Sequence, residues 1–430
     1  MKLIIHRGAR EIGGSCVELA TDDSRIIIDF GMPLVDSELQ PFDSKSISGK
    51  SIEELKGKKI LPDIQGLYKN DKSQINAILI SHSHLDHYGL LDFANIDILV
   101  YISQGAKELI DVSNIFLNKN IHLVNTHIIN HLTPFCINDF TITPYLVDHS
   151  AFDAYAFLIE AEGKKVFYSG DFRNHGRKAG LFKKIIENPP NNIDCILMEG
   201  SMLGRSEMAY KNEKGVEAEI VKILKEQNNI TFLFSSSQNI DRLVSAYRAC
   251  LKTGTTFVID IYTAYILQKL KAISEKIPQF DWEKMRVKFF RWHAERLADA
   301  GHKELLYIYN KQKIEMDEIN EKKNKVLMLA RDNSIFPYIV QNLNDIEGAK
   351  IIYSMWEGYL TDEFTNFCRD KKIEIKQVHT SGHAVLNDLQ CFAKALSPKQ
   401  LVPIHTFESA RYSEYFSNVM IINDDEQFLI

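Results

Sequence analysis

An α/β fold in two interleaved parts is what this sequence predicts. A β-rich domain is interrupted by a parallel-sheet domain, and the C-terminal segment returns to the first. Three observations predict it. Strand-like runs at 16–19 and 25–29 flank the turn Thr21-Asp22-Asp23-Ser24, as paired neighbouring strands do. From residue 193 to 354 short apolar runs alternate with helix-period segments, the pattern of a parallel α/β sheet. After about residue 372 a strand, a helix and another strand follow, with a terminal β segment.

In chain order, the early strands are expected at 16–19, 25–29, 75–80, 98–102, 140–147, 156–159 and 166–169. The middle strands are expected at 193–198, 231–235, 255–260, 286–290, 325–330 and 351–354. A helix at 239–252 is closed by Gly254, the residue that most readily takes the left-handed turn after a helix. The last elements are a strand at 373–378, a helix at 386–396 and a strand at 400–404. Two stretches, 36–59 and 311–325, read as surface loops, the second also as an exposed charged helix.

Composition excludes several classes. With 25% charged and 45% hydrophobic residues the 430-residue chain is neither low-complexity nor wholly disordered. The six cysteines form no CxxC pair, and each reads as a small buried apolar residue in a reducing cytoplasm. No run approaches about 18 consecutive apolar residues, so no membrane span is expected. The net charge of −6 argues against a protein that binds nucleic acid through bulk positive charge. That balance is uneven: residues 201–370 carry 25 basic and 24 acidic side chains, and the excess acid lies outside them.

The sharpest feature is Ser81-His82-Ser83-His84-Leu85-Asp86-His87, directly after the apolar run 75–80. Residues two apart at a strand end point to one side, so His82 and His84 can converge on one cation. Asp86 and His87 lie further round the turn, where they can serve a second. Imidazole and carboxylate suit Zn²⁺, with Mn²⁺ or Fe²⁺ as the alternatives. Further ligand-type residues follow strand-like runs in the same way: Asp148-His149 after 142–147, Asp171 after 166–169 and His405 after 401–404.

The order HxHxDH, His149, Asp171 and a late His resembles the metallo-β-lactamase fold of dinuclear hydrolases. Asp29, in Ile28-Asp29-Phe30-Gly31, matches that fold's early Asp, which supports the metal site without binding it. The resemblance is closest to the β-CASP ribonuclease family, typified by RNase J and the polyadenylation-factor endonuclease. It rests on Glu199 in Leu197-Met198-Glu199-Gly200, His383 in Thr380-Ser381-Gly382-His383-Ala384, and His405 in Pro403-Ile404-His405. It implies a metallo-β-lactamase αββα sandwich over 1–200 and 373–430, with an α/β β-CASP domain inserted over 201–372.

The resemblance implies that His82, His84 and His149 hold one zinc and Asp86, His87 and His405 a second, with Asp171 bridging. It further implies RNA hydrolysis by a metal-bridging hydroxide, with Asp86, Glu199 and His383 as catalytic residues. His383 is the expected general acid, since imidazole titrates near operating pH. Glu199 is expected to hydrogen-bond and orient it.

For substrate, Ser235 and Ser237 precede the helix at 239–252, where backbone and hydroxyl donors can cradle a phosphate. His379, Ser381 and Gly382 are phosphate contacts by resemblance. Arg173, Arg205 and Arg242 are weaker candidates that read first as surface residues. The expected partners are RNA, with single-stranded DNA as the alternative, and a second copy of the chain.

The sequence departs from RNase J in three places. Only 25 residues follow His405, where RNase J carries a further domain. Tyr353-Ser354-Met355-Trp356-Glu357-Gly358 replaces its Gly-rich glutamine motif, and Glu199 replaces its usual Asp. The competing readings are a DNA nuclease of the same branch, a small-molecule metallo-hydrolase and a non-catalytic scaffold. His405 favours RNA over DNA, the inserted domain disfavours a small substrate, and the full ligand set disfavours a scaffold.

Overall fold

The structure is a computed structural model that describes residues 1–117, 121–205 and 209–430. Its first strands are β1 (Lys2–Arg7), β2 (Cys16–Ala20), β3 (Arg25–Ile28), β4 (Ala77–Leu79), β5 (Leu99–Ser103) and β6 (Thr126–Ile129). Next come β7 (Phe135–Ile137), β8 (Phe140–Leu146), β9 (Tyr155–Ala161), β10 (Lys164–Tyr168) and β11 (Cys195–Glu199). The middle of the chain supplies β12 (Thr231–Phe234), β13 (Thr256–Asp260), β14 (Met285–Lys288), β15 (Val326–Ala330), β16 (Lys350–Tyr353) and β17 (Glu374–Gln377). It closes with β18 (Gln400–Ile404) and β19 (Gln427–Leu429).

These strands build three sheets. The first has the order β19-β1-β2-β3-β4-β5-β6, antiparallel as far as β3 and parallel beyond it. The second runs β18-β11-β10-β9-β8-β7. Leu3, Ile5, Val17 and Ile28 of the first sheet share one buried cluster with Phe140, Phe157, Val166 and Val402 of the second. The two sheets therefore pack face to face. Their outer faces are covered by helices, Gln104–Leu117 over the first and Ala179–Glu187 with Leu386–Leu396 over the second. This is the four-layer αββα sandwich.

The third sheet is wholly parallel, in the order β14-β13-β15-β12-β16-β17, with an apolar cluster on each face. Near-continuous apolar runs such as Thr-Phe-Leu-Phe in β12 and Val-Leu-Met-Leu-Ala in β15 fit a sheet buried on both sides. The chain leaves the second sheet after Glu199 in β11 and rejoins it beside that strand at β18, in parallel.

Several expectations need correction. The strand expected at the head of the return segment 373–430 pairs instead with β16 in the third sheet. The amphipathic helix Asp362–Asp370 between the two makes them a βαβ unit, so β17 extends the inserted sheet. The stretch 36–59 is not all loop. It holds the helix Ile52–Gly57, started by a capping box in which Ser51 and Glu54 satisfy each other's backbone N–H groups. The run 311–325 contains the short helix Met316–Glu321. Two cysteines, Cys136 and Cys391, are exposed rather than buried. Among the described residues no helix is long and apolar enough to cross a membrane.

Arg173 and Arg242 are not surface residues: both side chains are fully buried. Arg173 reaches Asp148 at 3.3 Å, the Ser381 carbonyl at 2.8 Å and Asp241 at 2.7 Å. Asp241 lies on the helix Ile240–Thr253, so this guanidinium ties the sandwich to the inserted domain. Arg242 binds Glu213 at 2.9 Å and the Ser354 carbonyl at 3.0 Å. Buried guanidinium groups persist only when each donor finds such a partner.

Candidate metal centre

Every expected metal ligand follows, or closely follows, the C-terminal end of a strand of the sandwich. His82 to His87 come after β4, His149 after β8, Asp171 after β10 and His405 after β18. Glu199 is the last residue of β11, and His383 lies on the loop between β17 and the helix Leu386–Leu396.

The turn carrying the histidine motif is held by backbone on both sides. Ser15 N–H donates to the Asp86 carbonyl at 3.0 Å, Phe30 N–H to His87 at 2.8 Å and Met32 N–H to Leu85 at 2.9 Å. This approach leaves no room at Gly31, where a methyl group would fall 1.7 Å from the Asp86 carbonyl oxygen. Gly31→Ala is therefore expected to lower stability by about 2 kcal/mol, the cost of overpacking, and to weaken metal retention. Urea melts with metal analysis of the folded protein check this.

Side-chain donors converge in three overlapping groups whose ligand atoms lie within 4.8 Å of one another. One contains His82, His84, His149 and Asp171; another contains Asp86, His87 and His405; the third joins Asp171, Glu199, His383 and His405. His149 Nε2 is 3.2 Å from His84 Nδ1, and His87 Nε2 is 3.2 Å from Asp171 Oδ2. Ligand atoms held about 2.0–2.1 Å from one tetrahedral ion are spaced by roughly this distance. His405 Nε2 is 3.1 Å from Asp86 Oδ2.

The hydrogen bonds around the histidines fix which nitrogen is free to ligate. His149 Nδ1 is 2.6 Å from the Gly382 carbonyl, which can only accept, so the lone pair is on Nε2. His87 Nδ1 donates to Asp29 Oδ2 at 2.7 Å, freeing its own Nε2. Ser81 Oγ donates to Asp29 Oδ2 at 2.8 Å and therefore accepts from His82 Nδ1 at 3.0 Å. Asp29 also accepts from Ser81 N–H and Tyr168 O–H, both at 2.7 Å. One buried carboxylate thus sets two imidazole tautomers, the usual arrangement behind metal-ligating histidines.

Several of these donor atoms face only one another. His82 Nε2, His87 Nε2 and both oxygens of Asp171 are buried without a hydrogen bond. Such groups are costly to leave unsatisfied, and a bound cation satisfies all of them at once. Burial pushes His82 and His149 well below the usual imidazole range and His84 to about 4, so all three are neutral, the form that ligates. Burial opposes ionisation of Asp171, yet His405, His87 and His383 hold its carboxyl well below the usual range. The donor set fits divalent first-row metals.

Glu199 accepts from Ser201 N–H at 2.9 Å, Ala384 N–H at 3.1 Å and Phe172 N–H at 3.4 Å. Its carboxylate is 3.5 Å from His383 Nδ1, and Asp171 is 3.7 Å from that atom, so His383 faces two carboxylates. The expected Glu199–His383 hydrogen bond is thus a looser ion pair. His383 is partly exposed, on the open side of the centre. Its backbone N–H is held by Ser381 Oγ at 3.0 Å.

The expected phosphate contacts divide. Gly382 turns its carbonyl to His149, and Ser381 spends its hydroxyl on His383 and its carbonyl on Arg173 and His175. Ser237 lies apart from the donor groups, with Thr263 at 2.6 Å and Arg331 beside it. Ser235 makes a 3.4 Å bond to the Ser236 carbonyl, and His379 Nδ1 is buried without a hydrogen bond. Four residues that shape the centre escaped the sequence reading: Ser81, Tyr168, Ser201, whose Oγ is 2.8 Å from His405 Nδ1, and Gly31. Ser81 adjoins His82 and Ser201 lies two residues past Glu199 in sequence, whereas Tyr168 carries no such signal.

A four-layer sandwich with two donor groups sharing one carboxylate at its strand ends defines a metal-dependent hydrolase of the metallo-β-lactamase class. Comparisons with known proteins agree. Residues 62–231 match the beta-lactamase superfamily domain, and residues 370–419 match the Zn-dependent metallo-hydrolase RNA specificity domain. The chain is 23% identical to ribonuclease J of Mycoplasma genitalium over 449 residues, spanning all of this chain and 72% of that protein. It is 20% identical to ribonuclease J 2 of Streptococcus pyogenes serotype M3, across 94% of this chain and 69% of that one. A crystal structure of a protein of unknown function from Enterococcus faecalis V583 superposes with a TM-score of 0.80 at 21% identity, covering 100% and 99% of the two chains. The chain is thus similar along its length to the ribonuclease J-like, β-CASP branch of the metallo-β-lactamase hydrolases.

Proposed function

We propose that this protein hydrolyses RNA phosphodiester bonds at a pair of zinc ions. The observation that carries the reading is the cluster of buried donor atoms on His82, His87 and Asp171 that make no hydrogen bond. The relatives named ribonuclease J support RNA as the substrate class. In this reading His82, His84 and His149 hold one ion and Asp86, His87 and His405 the other, with Asp171 shared between them. Two such ions, when bound, make a nucleophilic water available at neutral pH and neutralise charge on the phosphate.

The chain's own residues do the rest. Asp29 and the Gly382 carbonyl hold three imidazoles in the ligating tautomer. His383 donates a proton to the leaving ribose oxygen. Glu199, itself fixed by three backbone N–H groups, favours the protonated form of His383 and stands beside its Nδ1. The inserted domain, anchored through Arg173 and Asp241, leads from β17 into the 378–384 loop that carries His383.

Labelled single-stranded RNA and DNA, with mono- and triphosphate 5′ ends, test this with and without chelator. RNA is expected to be cleaved, chelation to stop cleavage, and Zn²⁺ or Mn²⁺ to restore it. Cleavage that survives complete metal removal, or equal cutting of DNA, overturns the reading.

A further inference from the structure

The loop after β16 departs from the family pattern and carries two exposed aromatic rings, Trp356 and Tyr359. Their ring centroids are 5.2 Å apart at 88°, an edge-to-face pair. The Arg205 guanidinium lies 4.9 Å from the Trp356 ring centroid. A methyl group at Gly358 would fall 2.4–2.6 Å from the indole, so this turn is built to let the ring rest against it. Trp356 is thereby held in place while 45% of it stays exposed, and Tyr359 is 60% exposed.

Chain connectivity and packing bring the group towards the metal centre. Arg205 lies on the turn that directly follows Glu199, and that carboxylate acts on its charge. The Tyr359 phenol, pushed up first by burial, also feels the carboxylate of Asp86. Neighbouring Gly204 packs against Glu408, three residues past His405. The loop also leaves the C-terminal edge of a parallel sheet, where α/β domains bind their ligands.

Two exposed rings fixed beside a guanidinium offer flat π surfaces to a ligand. The chain has no excess of positive charge to attract a polyanion, as its net charge is −6. Flat π surfaces with one guanidinium suit an unpaired nucleobase, which stacks irrespective of sequence. A base within a duplex offers no free face, so the occupant is single-stranded.

We infer that Trp356, Tyr359 and Arg205 form a stacking platform for one nucleobase of single-stranded RNA flanking the scissile phosphate. This rests on the phosphodiesterase reading above. The platform fixes which nucleotide sits over the metals and supplies affinity that charge does not.

The test measures binding separately from cleavage. A labelled, phosphorothioate-linked RNA decamer, intact or with one abasic nucleotide at each position in turn, is titrated into metal-loaded wild type, W356L and Y359L. Anisotropy gives Kd, and circular dichroism checks the fold. W356L and Y359L should each weaken the intact decamer about ten-fold, the worth of one stacked base. One abasic position should cost wild type a similar factor, and this loss should vanish in W356L. W356Y should restore most of the affinity. Binding of the intact decamer by both leucine variants within two-fold of wild type overturns the platform, as do losses that simply multiply. Failure of wild type to cleave unmodified RNA while it binds the decamer in this pattern overturns the catalytic reading instead.

Discussion

Replacing His82, Asp86 or Asp171 with Ala is expected to release bound metal and to lower RNA cleavage by at least about 10³–10⁴-fold. The size follows from losing several kcal/mol of charge stabilisation at the phosphate, with each 1.36 kcal/mol worth a factor of ten. Asp171 should be the most damaging of the three, because its oxygens face donors of both groups: His82 at 3.6 Å, His87 at 3.2 Å and His405 at 3.7 Å. Without it the surrounding imidazoles also lose their common counter-charge. Metal content measured by mass spectrometry beside cleavage assays decides the matter. Full activity with stoichiometric metal in any of the three would sink the dinuclear site. Asp29→Asn gives the contrasting case. It keeps the shape but places an amide where a carboxylate accepts four hydrogen bonds, so it misdirects His87 without removing a ligand. A loss of about 10–100-fold in metal affinity or activity is expected, the usual effect of disturbing a group behind a ligand.

The candidate ligands are legible in the sequence because each is announced locally. A buried apolar run ends, and His or Asp stands within a few residues of it, as at Ile78-Leu79-Ile80-Ser81-His82. Strand ends gather in space, so a local signal repeated along the chain becomes a site. What escaped was non-local. Tyr168 reaches Asp29 across 139 positions and reads in sequence as one more core aromatic. Arg173 reads as a surface residue because its partners, Asp148 and Asp241, are supplied by two different domains. The boundary strand β17 reads as part of the return segment because sequence shows the strand but not its neighbour. The helix Ile52–Gly57 was lost to composition, although its Ser51–Glu54 capping box was there to be read.

His383→Ala is expected to retain full metal content and to slow RNA cleavage by roughly 10²–10⁴-fold, the range of a lost general acid. His383 is partly exposed on the open side of the centre, and its Nδ1 faces Glu199 at 3.5 Å and Asp171 at 3.7 Å. Burial disfavours its cation, but Glu199 and Asp171 outweigh burial and raise its pKa above the ordinary imidazole value. These carboxylates favour the protonated imidazole, the form that can serve a leaving oxygen. A ribose alkoxide needs that proton, whereas a nitrophenolate leaves without it. The deficit of His383→Ala should thus nearly disappear on bis(p-nitrophenyl) phosphate, although both substrates use the same metals. An equal deficit on the two substrates would deny the acid role. Loss of metal would instead make His383 a ligand, as its grouping with Asp171, Glu199 and His405 also permits. Comparing metal content with leaving-group dependence in this single variant therefore separates the proton donor from the ligand.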